Sequence, residues 1–337
     1  MTTRRLLLTG GAGYIGSHTL PLVAAAGYEP LVLDNFSNAS ANVFSRLQKI
    51  CGHAIPYIEG DIRDTACLDK VFGAEPIHAV IHFAGLKAPG ESVEHPLRYH
   101  SVNVGGTLTL LDAMQRHGCK RIVFSSTAAV YAAADSPVTE DASLAPSNPY
   151  GHSKRMIEQI MHDLCAADPE WQAAILRYFN PIGAHSSGLI GEHPSAIPNN
   201  LVPYVARVAA GLYPEVTIFG DDYPTPDGTG IRDYIHVGDL AQGHIAALKA
   251  LKPGCLTCNL GTGRGYSVKE VIEAFRQVSG KPIPSRIAAR REGDIALSCA
   301  DPSFSAAALD WRTTHDLNAM IRDHWNWQRS NPNGYED

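Results

Sequence analysis

Short apolar runs alternate with helical patterns along the first half of the chain. Five runs read as buried strands, at residues 5–8, 30–33, 55–58, 79–83 and 121–124. Between them, apolar residues recur at helical spacing, for example over residues 15–26 and in a long amphipathic segment at 97–117. Strands alternating with helices predict an α/β fold with a doubly wound parallel sheet, whose ligands bind at the carboxyl ends of the strands.

The second half of the chain has a different pattern. From about Asn180, prolines punctuate shorter elements and longer loops. We therefore expect a Rossmann domain over residues 1–180 and a smaller C-terminal α/β domain over 181–337, which supplies the substrate side of a cleft. Helices are predicted at 237–251 and 267–278, and elements around 237–260 are expected to pack back on the first domain.

A glycine-rich turn, Thr9-Gly10-Gly11-Ala12-Gly13-Tyr14-Ile15-Gly16, separates the first strand from the first helix. Glycines at Gly10, Gly13 and Gly16 let the backbone approach a pyrophosphate, and the free N–H groups at the helix start hold the anion. A P-loop is excluded because Ser17-His18 occupy the positions of its Lys-Ser/Thr pair. A strand, this turn and a helix in that order predict a dinucleotide site.

Carboxylates at the ends of the next two strands suit the adenosine half of that ligand. Asp34 ends the second strand 18 residues after Gly16, where an acidic residue binds ribose hydroxyls. Because its charge would repel a 2′-phosphate, NAD is favoured over NADP. Asn35 and Asn38 follow in a polar loop, and Asp61 follows the third strand, where it suits the adenine amino group.

The composition of the chain limits the kinds of binding partner that it can have. The 337 residues carry a net charge of −6, which argues against nucleic acid or an anionic membrane as a partner, and no apolar run has membrane-spanning length. Seven cysteines, an odd number, are typical of reduced thiols in a cytoplasmic protein. Cys255 and Cys258 lie in a predicted strand, where residues three apart face opposite ways, and the histidines show no ligand spacing. We therefore predict no metal site.

The catalytic candidates are Tyr150, Lys154 and Thr127. Of the 13 tyrosines, only Tyr150 has a lysine four positions later, so phenol and ammonium share one helix face. A tyrosine has a pKa near 10, and the ammonium with a positively charged nicotinamide would stabilise its phenolate; reaching neutral pH requires about 4 kcal/mol. Thr127 ends the fifth strand, where its hydroxyl can bind the same reacting oxygen.

Together the glycine turn, Asp34, Thr127 and the Tyr150–Lys154 pair resemble the extended short-chain dehydrogenase/reductase family. Within that family, five further stretches resemble the UDP-glucose 4-epimerases over nearly the whole chain. They are residues 82–87 (HFAGLK), 177–181 (RYFNP), 197–201 (IPNNL), 230–237 (GIRDYIHV) and 290–294 (RREGD).

The resemblance implies two sets of ligand-binding residues. Besides the three glycines, Asn35 and Tyr150, the NAD site would comprise Tyr14, Ile15, Asp34, Asn38, Asp61, Ile62, Phe83, Ala84, Lys87, Asn103, Lys154 and Phe179. The UDP-sugar would contact Lys87, Thr127, Tyr150, Asn180, Asn200, Leu201, Thr217, Ile218, Phe219, Arg232, Arg291, Asp294 and Ser298. Arg232 and Arg291 suit a diphosphate, since a guanidinium binds it bidentately. Asp294 suits the uridine ribose.

The implied reaction is an oxidation that is later reversed. Phenolate Tyr150, assisted by Thr127, takes the proton of the sugar 4-hydroxyl while C4 gives its hydride to NAD. The 4-keto sugar then turns over and receives the hydride on its other face. By resemblance, the helices at 97–117 and 150–166 also form a homodimer interface.

Two positions depart from the family pattern. Thr127 stands where serine is frequent, which keeps the hydroxyl. Ser298 is small where a tyrosine is associated with enzymes restricted to glucose and galactose. We therefore expect UDP-GlcNAc and UDP-GalNAc to be epimerised as well.

Two alternatives are weaker. A nucleotide-sugar 4,6-dehydratase needs an acid and a base after the threonine, usually Asp-Glu, where this chain has Ala128 and Ala129. A non-catalytic NAD-sensing protein needs no Tyr/Lys/Thr set.

Overall fold

The computed structural model describes residues 4–132, 136–193, 198, 200–291 and 293–336. The strands in these ranges are β1 (Arg4–Thr9), β2 (Tyr28–Asp34), β3 (Tyr57–Glu59), β4 (Ile77–His82), β5 (Arg121–Thr127), β6 (Gln172–Tyr178), β7 (Asn180–Ile182), β8 (Val216–Phe219), β9 (Ile231–His236), β10 (Gly254–Leu260), β11 (Gly265–Ser267), β12 (Ser285–Ala288) and β13 (Leu297–Ser298).

Helices cover both faces of the main sheet and build much of the C-terminal region. The α-helices are α1 (Tyr14–Ala25), α2 (Val43–Cys51), α3 (Thr65–Ala74), α4 (Pro89–Glu94), α5 (Pro96–Tyr99), α6 (Gly106–Arg116), α7 (Pro149–Ala167), α8 (Leu201–Ala209), α9 (Val237–Ala250), α10 (Val268–Ser279), α11 (Ser303–Leu309) and α12 (Leu317–Ser330). A π-helical turn spans His100–Gly105, and a 3₁₀ turn spans Ala128–Val130.

The predicted doubly wound parallel sheet is confirmed. Seven strands pair in the order β10-β6-β5-β4-β1-β2-β3, and every pair is parallel. The order reverses between β1 and β4, the switch point at which open α/β sheets bind ligands. The edge strand β10 comes from the second half of the chain and pairs with β6. Where the domain boundary falls stays a prediction.

The sequence of β1 explains its central position. Leu6, Leu7 and Leu8 are completely buried, and alternate residues point to opposite faces of the sheet. Leu6 and Leu8 pack in one core layer, whereas Leu7 packs in the other. A strand that is apolar on both faces is stable only between two layers of helices, and burying each leucine contributes about 2 kcal/mol.

The C-terminal region adds two small sheets and a third core. In one sheet β9 pairs with β7, β11 and β13, and in the other β8 pairs with β12. The third core lies between these sheets and the helices α8, α10 and α12. Helix α9 packs against α1 and so joins the helices that cover the main sheet.

Two predicted elements need adjustment. The helix expected over 97–117 is confirmed as one helical run from Pro96 to Arg116, with the π-turn His100–Gly105 between α5 and α6. The third strand begins at Tyr57 instead of Ile55. By contrast, α10 starts at the predicted position, with a capping box in which Ser267 and Glu270 bond each other's backbone. Among the described residues, no helix combines the length and apolarity needed to cross a membrane.

Candidate active site

The glycine turn is built for close approach of the backbone. Gly10 has φ +69°, and a Cβ on it would lie 2.6 Å from the main-chain nitrogen of Ala84. A Cβ on Gly16 would lie 2.6 Å from the Cα of Gly11. Helix α1 begins at Tyr14 after Gly13, which offers no side-chain cap. The positive end of α1 therefore stays available to an anion, and the turn fits the pyrophosphate of NAD.

Asp34 and Asp61 lie beside this turn, both already hydrogen-bonded. The Asp34 carboxylate accepts the N–H groups of Ala12 at 3.0 Å and Phe36 at 2.9 Å. Burial raises the pKa of Asp34, and these bonds oppose the rise. Asp61 accepts two bonds from the Arg63 guanidinium, at 2.7 and 2.9 Å, one from the Arg63 main-chain N–H at 2.9 Å and one from Asn35 at 3.0 Å. The Arg63 bonds hold the pKa of Asp61 well below its usual range.

Helix α7 carries the candidate catalytic pair, Tyr150 and Lys154. Asn148 caps it by accepting the N–H of Gly151 at 2.9 Å, and Pro149 takes its first position. A Cβ on Gly151 would lie 2.6 Å from the carbonyl oxygen of Ala129, so glycine lets the helix start against the turn that follows β5. Tyr150 and Lys154 are then 7% and 5% exposed.

The structure brings Tyr150, Lys154 and Thr127 together at the end of β5. Lys154 donates to the main-chain carbonyl of Ser125 at 2.8 Å. Burial raises the pKa of Tyr150 to about 12, and the nearby Thr127 hydroxyl opposes the rise. Burial also lowers the pKa of Lys154 to about 8, which Glu158 opposes. The protein's side chains alone therefore hold Tyr150 as a neutral phenol.

Asn103 bonds the loop that follows β4, and Lys87 belongs to that loop. The Asn103 carboxamide accepts the N–H of Leu86 at 2.8 Å and donates to Ser153 on α7 at 2.9 Å. Lys87 forms an ion pair with Glu192 at 3.0 Å. Sequence reasoning did not identify Glu192, because its partner stands 105 residues earlier in the chain.

A buried ion pair beneath the site was also missed. Glu158 on α7 is bound by Arg177 on β6 at 2.8 and 3.0 Å and by the Ser126 hydroxyl at 2.5 Å. Glu158 is fully buried and Arg177 is 4% exposed. The pair fixes α7 to the strand ends that carry Thr127. The sequence feature that could have identified Glu158 is its position one helical turn after Lys154.

The candidate substrate residues form two groups. Arg232 contacts Asp294 at 3.3 Å, and Ser298 lies opposite Arg232 in the β13–β9 register. The Arg291 guanidinium lies 3.9 Å from the Phe219 ring centroid, stacked against it.

Other predicted residues are dispersed along the elements that border these groups. Asn180 opens β7, Asn200 is the exposed residue before α8, and Leu201 is half-buried. Ile218 is 5% exposed, and its side chain belongs to the third core. Thr217 is half-buried beside it. Of the motif residues quoted above, Ile197, Asn199 and Glu292 lie outside the described residues.

The remaining predicted cofactor residues are mostly buried. Tyr14 donates to the carbonyl of Gly183 at 2.7 Å. The Phe83 ring lies 4.8 Å from that of His244. Phe179 and Ile62 are 6% and 5% exposed. The cofactor roles of these four residues stay predictions.

A parallel sheet with a glycine turn at its switch point and a buried Tyr/Lys pair defines a dinucleotide-dependent enzyme of the Rossmann class. The sequence model of the NAD dependent epimerase/dehydratase family matches residues 6–261, and the chain belongs to this family.

Relatives of known structure or function agree with this. The UDP-glucose 4-epimerase of Dictyostelium discoideum is 54% identical over 337 residues, spanning 99% of this chain and 98% of the relative. A UDP-glucose 4-epimerase from Bifidobacterium longum in complex with NAD+ and UDP is 49% identical, with a TM-score of 0.95 over 98% of this chain and 99% of that one. The Stenotrophomonas maltophila enzyme with bound NAD and formylated UDP-arabinopyranose is 48% identical, with a TM-score of 0.95 over 97% and 98%.

Proposed function

We propose that this chain is a UDP-glucose 4-epimerase that interconverts UDP-glucose and UDP-galactose. The observation that carries the proposal is the buried Tyr150–Lys154 pair, which shares the end of β5 with Thr127 beside the glycine turn. Full-length similarity to UDP-glucose 4-epimerases supports the same substrate class. C4 of the sugar is oxidised to a ketone and then reduced on its opposite face.

The residues divide the proton chemistry between them. Bound NAD supplies the hydride acceptor and a positive charge that favours the phenolate. Tyr150 then takes the proton of the 4-hydroxyl and later returns it, while Thr127 holds the same oxygen. Lys154, mostly charged below its pKa of about 8, stabilises the ionised phenol from the same helix face. Asp34 favours NAD, because a 2′-phosphate would meet its charge.

The dehydratase alternative lacks its proton-transfer groups. Elimination needs an acid and a base next to Thr127, and the 3₁₀ turn there presents Ala128 and Ala129. Neither side chain can move a proton. A sensor that converts no substrate has no need of the buried Tyr150–Lys154–Thr127 arrangement.

The substrate range extends to acetamido sugars in this proposal. Ser298 neighbours Arg232 across the β13–β9 pair, so its side chain borders the region assigned to the nucleotide sugar. A serine leaves room that a tyrosine would fill. UDP-GlcNAc and UDP-GalNAc are therefore expected substrates.

We also propose a homodimer formed through the helices α4 to α7. They expose large apolar side chains, namely Val93 at 64%, Leu97 at 83%, Leu108 at 48% and Met156 at 47%. Large apolar side chains exposed on neighbouring helices are typical of an interface. Light scattering on the purified protein tests this, since a monomer at micromolar concentration would contradict it.

The test of the proposed activity is direct. Purified protein is incubated with UDP-galactose, and UDP-glucose is detected with UDP-glucose dehydrogenase. Steady turnover without added reductant supports an epimerase. Formation of a dehydrated 4-keto-6-deoxy sugar would instead favour the dehydratase, and no turnover would favour a sensor.

A further inference from the structure

His82 lies in a chain of buried hydrogen bonds in which each group donates to the next, from Thr9 through His82 and Thr107 to Asn103. It is the last residue of β4 and is completely buried. Its Nδ1 lies 2.6 Å from the Thr9 hydroxyl and its Nε2 lies 2.9 Å from the Thr107 hydroxyl. Thr107 donates its only proton to the carbonyl of Asn103 at 2.6 Å, so it accepts from His82 Nε2–H. The His82 Nδ1 is then the acceptor for Thr9.

The chain ends on the π-turn. Asn103 lies within His100–Gly105, and Thr107 follows Asn103 by four residues. A π-turn inserts a residue into the helix and displaces backbone carbonyls from their usual partners, and such turns are frequent at functional sites. The Thr107 hydroxyl supplies a partner for the Asn103 carbonyl, in the manner of helical threonines. Because His82 holds that hydroxyl, it fixes the turn.

The side chain of Asn103 connects the turn to the two parts of the active site. It accepts from Leu86 N–H at 2.8 Å and donates to the Leu86 carbonyl at 3.1 Å. It also donates to Ser153 at 2.9 Å, and Ser153 donates to the carbonyl of Tyr150 at 2.7 Å. A shift of the turn would therefore move the loop after β4 and the start of the catalytic helix relative to each other.

We propose that His82 is a positioning residue for epimerisation: through Thr107 it sets the π-turn so that Asn103 spans the Leu86 loop and the Tyr150 helix. The proposal rests on the epimerase function given above. Burial, with the nearby Lys154 charge, lowers the pKa of His82 to about 3, so the ring keeps its neutral form throughout the working range.

The variants His82→Leu and Thr107→Val each break the chain, and their double variant tests the connection. Each single variant is expected to lower kcat about 10²-fold with little change in the KM for UDP-galactose, because misplacement of reacting groups costs rate. The double variant should be no slower than the slower single one. His82→Gln and Thr107→Ser, which keep a donor and an acceptor, should recover part of kcat.

Thr109→Val is the matched control. Thr109 makes the same kind of bond in α6, to the carbonyl of Gly105 at 3.0 Å, but the chain from His82 does not include it. Its kcat should stay within about twofold of wild type. Bound NAD, released by acid and quantified, and the unfolding midpoint are measured for every variant, and kcat is expressed per coenzyme-loaded folded enzyme.

Amide hydrogen exchange gives a readout independent of activity. His82→Leu and Thr107→Val should speed exchange at residues 100–107 and at Leu86 N–H, and Thr109→Val should not change Leu86. Normal kcat per loaded enzyme, multiplicative losses in the double variant, or unchanged exchange at Leu86 would overturn the proposal. An inactive wild type would refute the epimerase function, and the exchange result would then decide the role of His82 alone.

Discussion

The Lys154 ammonium lies 2.8 Å from the main-chain carbonyl oxygen of Ser125, joining the catalytic helix to the strand that ends at Thr127. Lys154 is 5% exposed, and its burial lowers its pKa to about 8. A cation kept in so dry a place needs a compensating partner. The carbonyl is one such partner, the Glu158 carboxylate also favours the charged amine, and we assign the Tyr150 phenolate formed during turnover as a third.

Lys154→Met should therefore lower kcat by about 10²-fold or more, because the phenolate loses its nearest fixed cation. The fall should be smaller at high pH, where the phenol ionises more readily without help. Steady-state measurements of kcat over pH 6–10 for the wild type and the variant test this pH dependence. Arg155→Met, which removes a neighbouring half-buried cation from the same helix, is the control and should keep nearly full activity. Equal losses in both variants would contradict the assigned role.

Tyr150→Phe removes the proposed acid/base and little else. Tyr150 is 7% exposed and sits at the start of α7, so phenylalanine should fill the same space. Turnover should fall about 10³-fold, within the range typical of a lost acid/base group, while UDP affinity stays within about threefold. Calorimetric titration with UDP and the coupled assay measure the two effects. Activity close to wild type would refute the assignment.

Ser298→Tyr should separate the two sugar classes. The added ring fills space beside Arg232, and the clash with a 2-acetamido group should cost about 1–3 kcal/mol, or about 5–150-fold in kcat/KM. UDP-galactose, which has a hydroxyl there, should be affected much less. Ser298→Ala keeps the space open and is the control. Failure of the wild type to convert UDP-GalNAc would remove the basis for this specificity.

Stability should fall in mild acid because of buried histidines. Burial lowers the pKa of His18 and His82 to about 3, and of His236, His244 and His324 to about 4. The unfolded chain, with histidine pKa values near 6.5, binds these protons more readily. The free energy of unfolding is thus highest above pH 6.5 and falls as pH drops towards 4. Each group should contribute about 2 kcal/mol of this loss at pH 5.

Urea unfolding at pH 7.5 and pH 5.0 measures the loss. His324→Gln removes one buried imidazole. It should reduce by about one the number of protons taken up on unfolding in mild acid, so the free energy of unfolding should depend less on pH. An unfolding free energy that is the same at both pH values would contradict the prediction.

Much of the site could be predicted because its determinants are local in sequence. The glycine turn, the apolar runs and the spacing of Tyr150 and Lys154 all act within a few residues of each other. Helical periodicity places the last two on one face whatever the rest of the chain does. The capping box at Ser267 is equally local.

The π-turn could not be predicted for the opposite reason. Residues 97–117 have an uninterrupted helical pattern, and the long-range bonds at the insertion join Asn103 to Ser153 and His82 to Thr107. Such bonds exist only once β4, α6 and α7 are packed together. The Lys87–Glu192 pair likewise depends on contact between distant segments.

The central claim is that C4 of the sugar loses and regains the same hydride within one closed site, with Tyr150 moving the proton. Conversion of UDP-galactose carrying deuterium at C4, followed by NMR and mass spectrometry of the UDP-glucose formed, tests this most directly. The account predicts that the label stays at C4 with inverted configuration and that none enters from deuterated solvent. Loss of the label to water during turnover would contradict it.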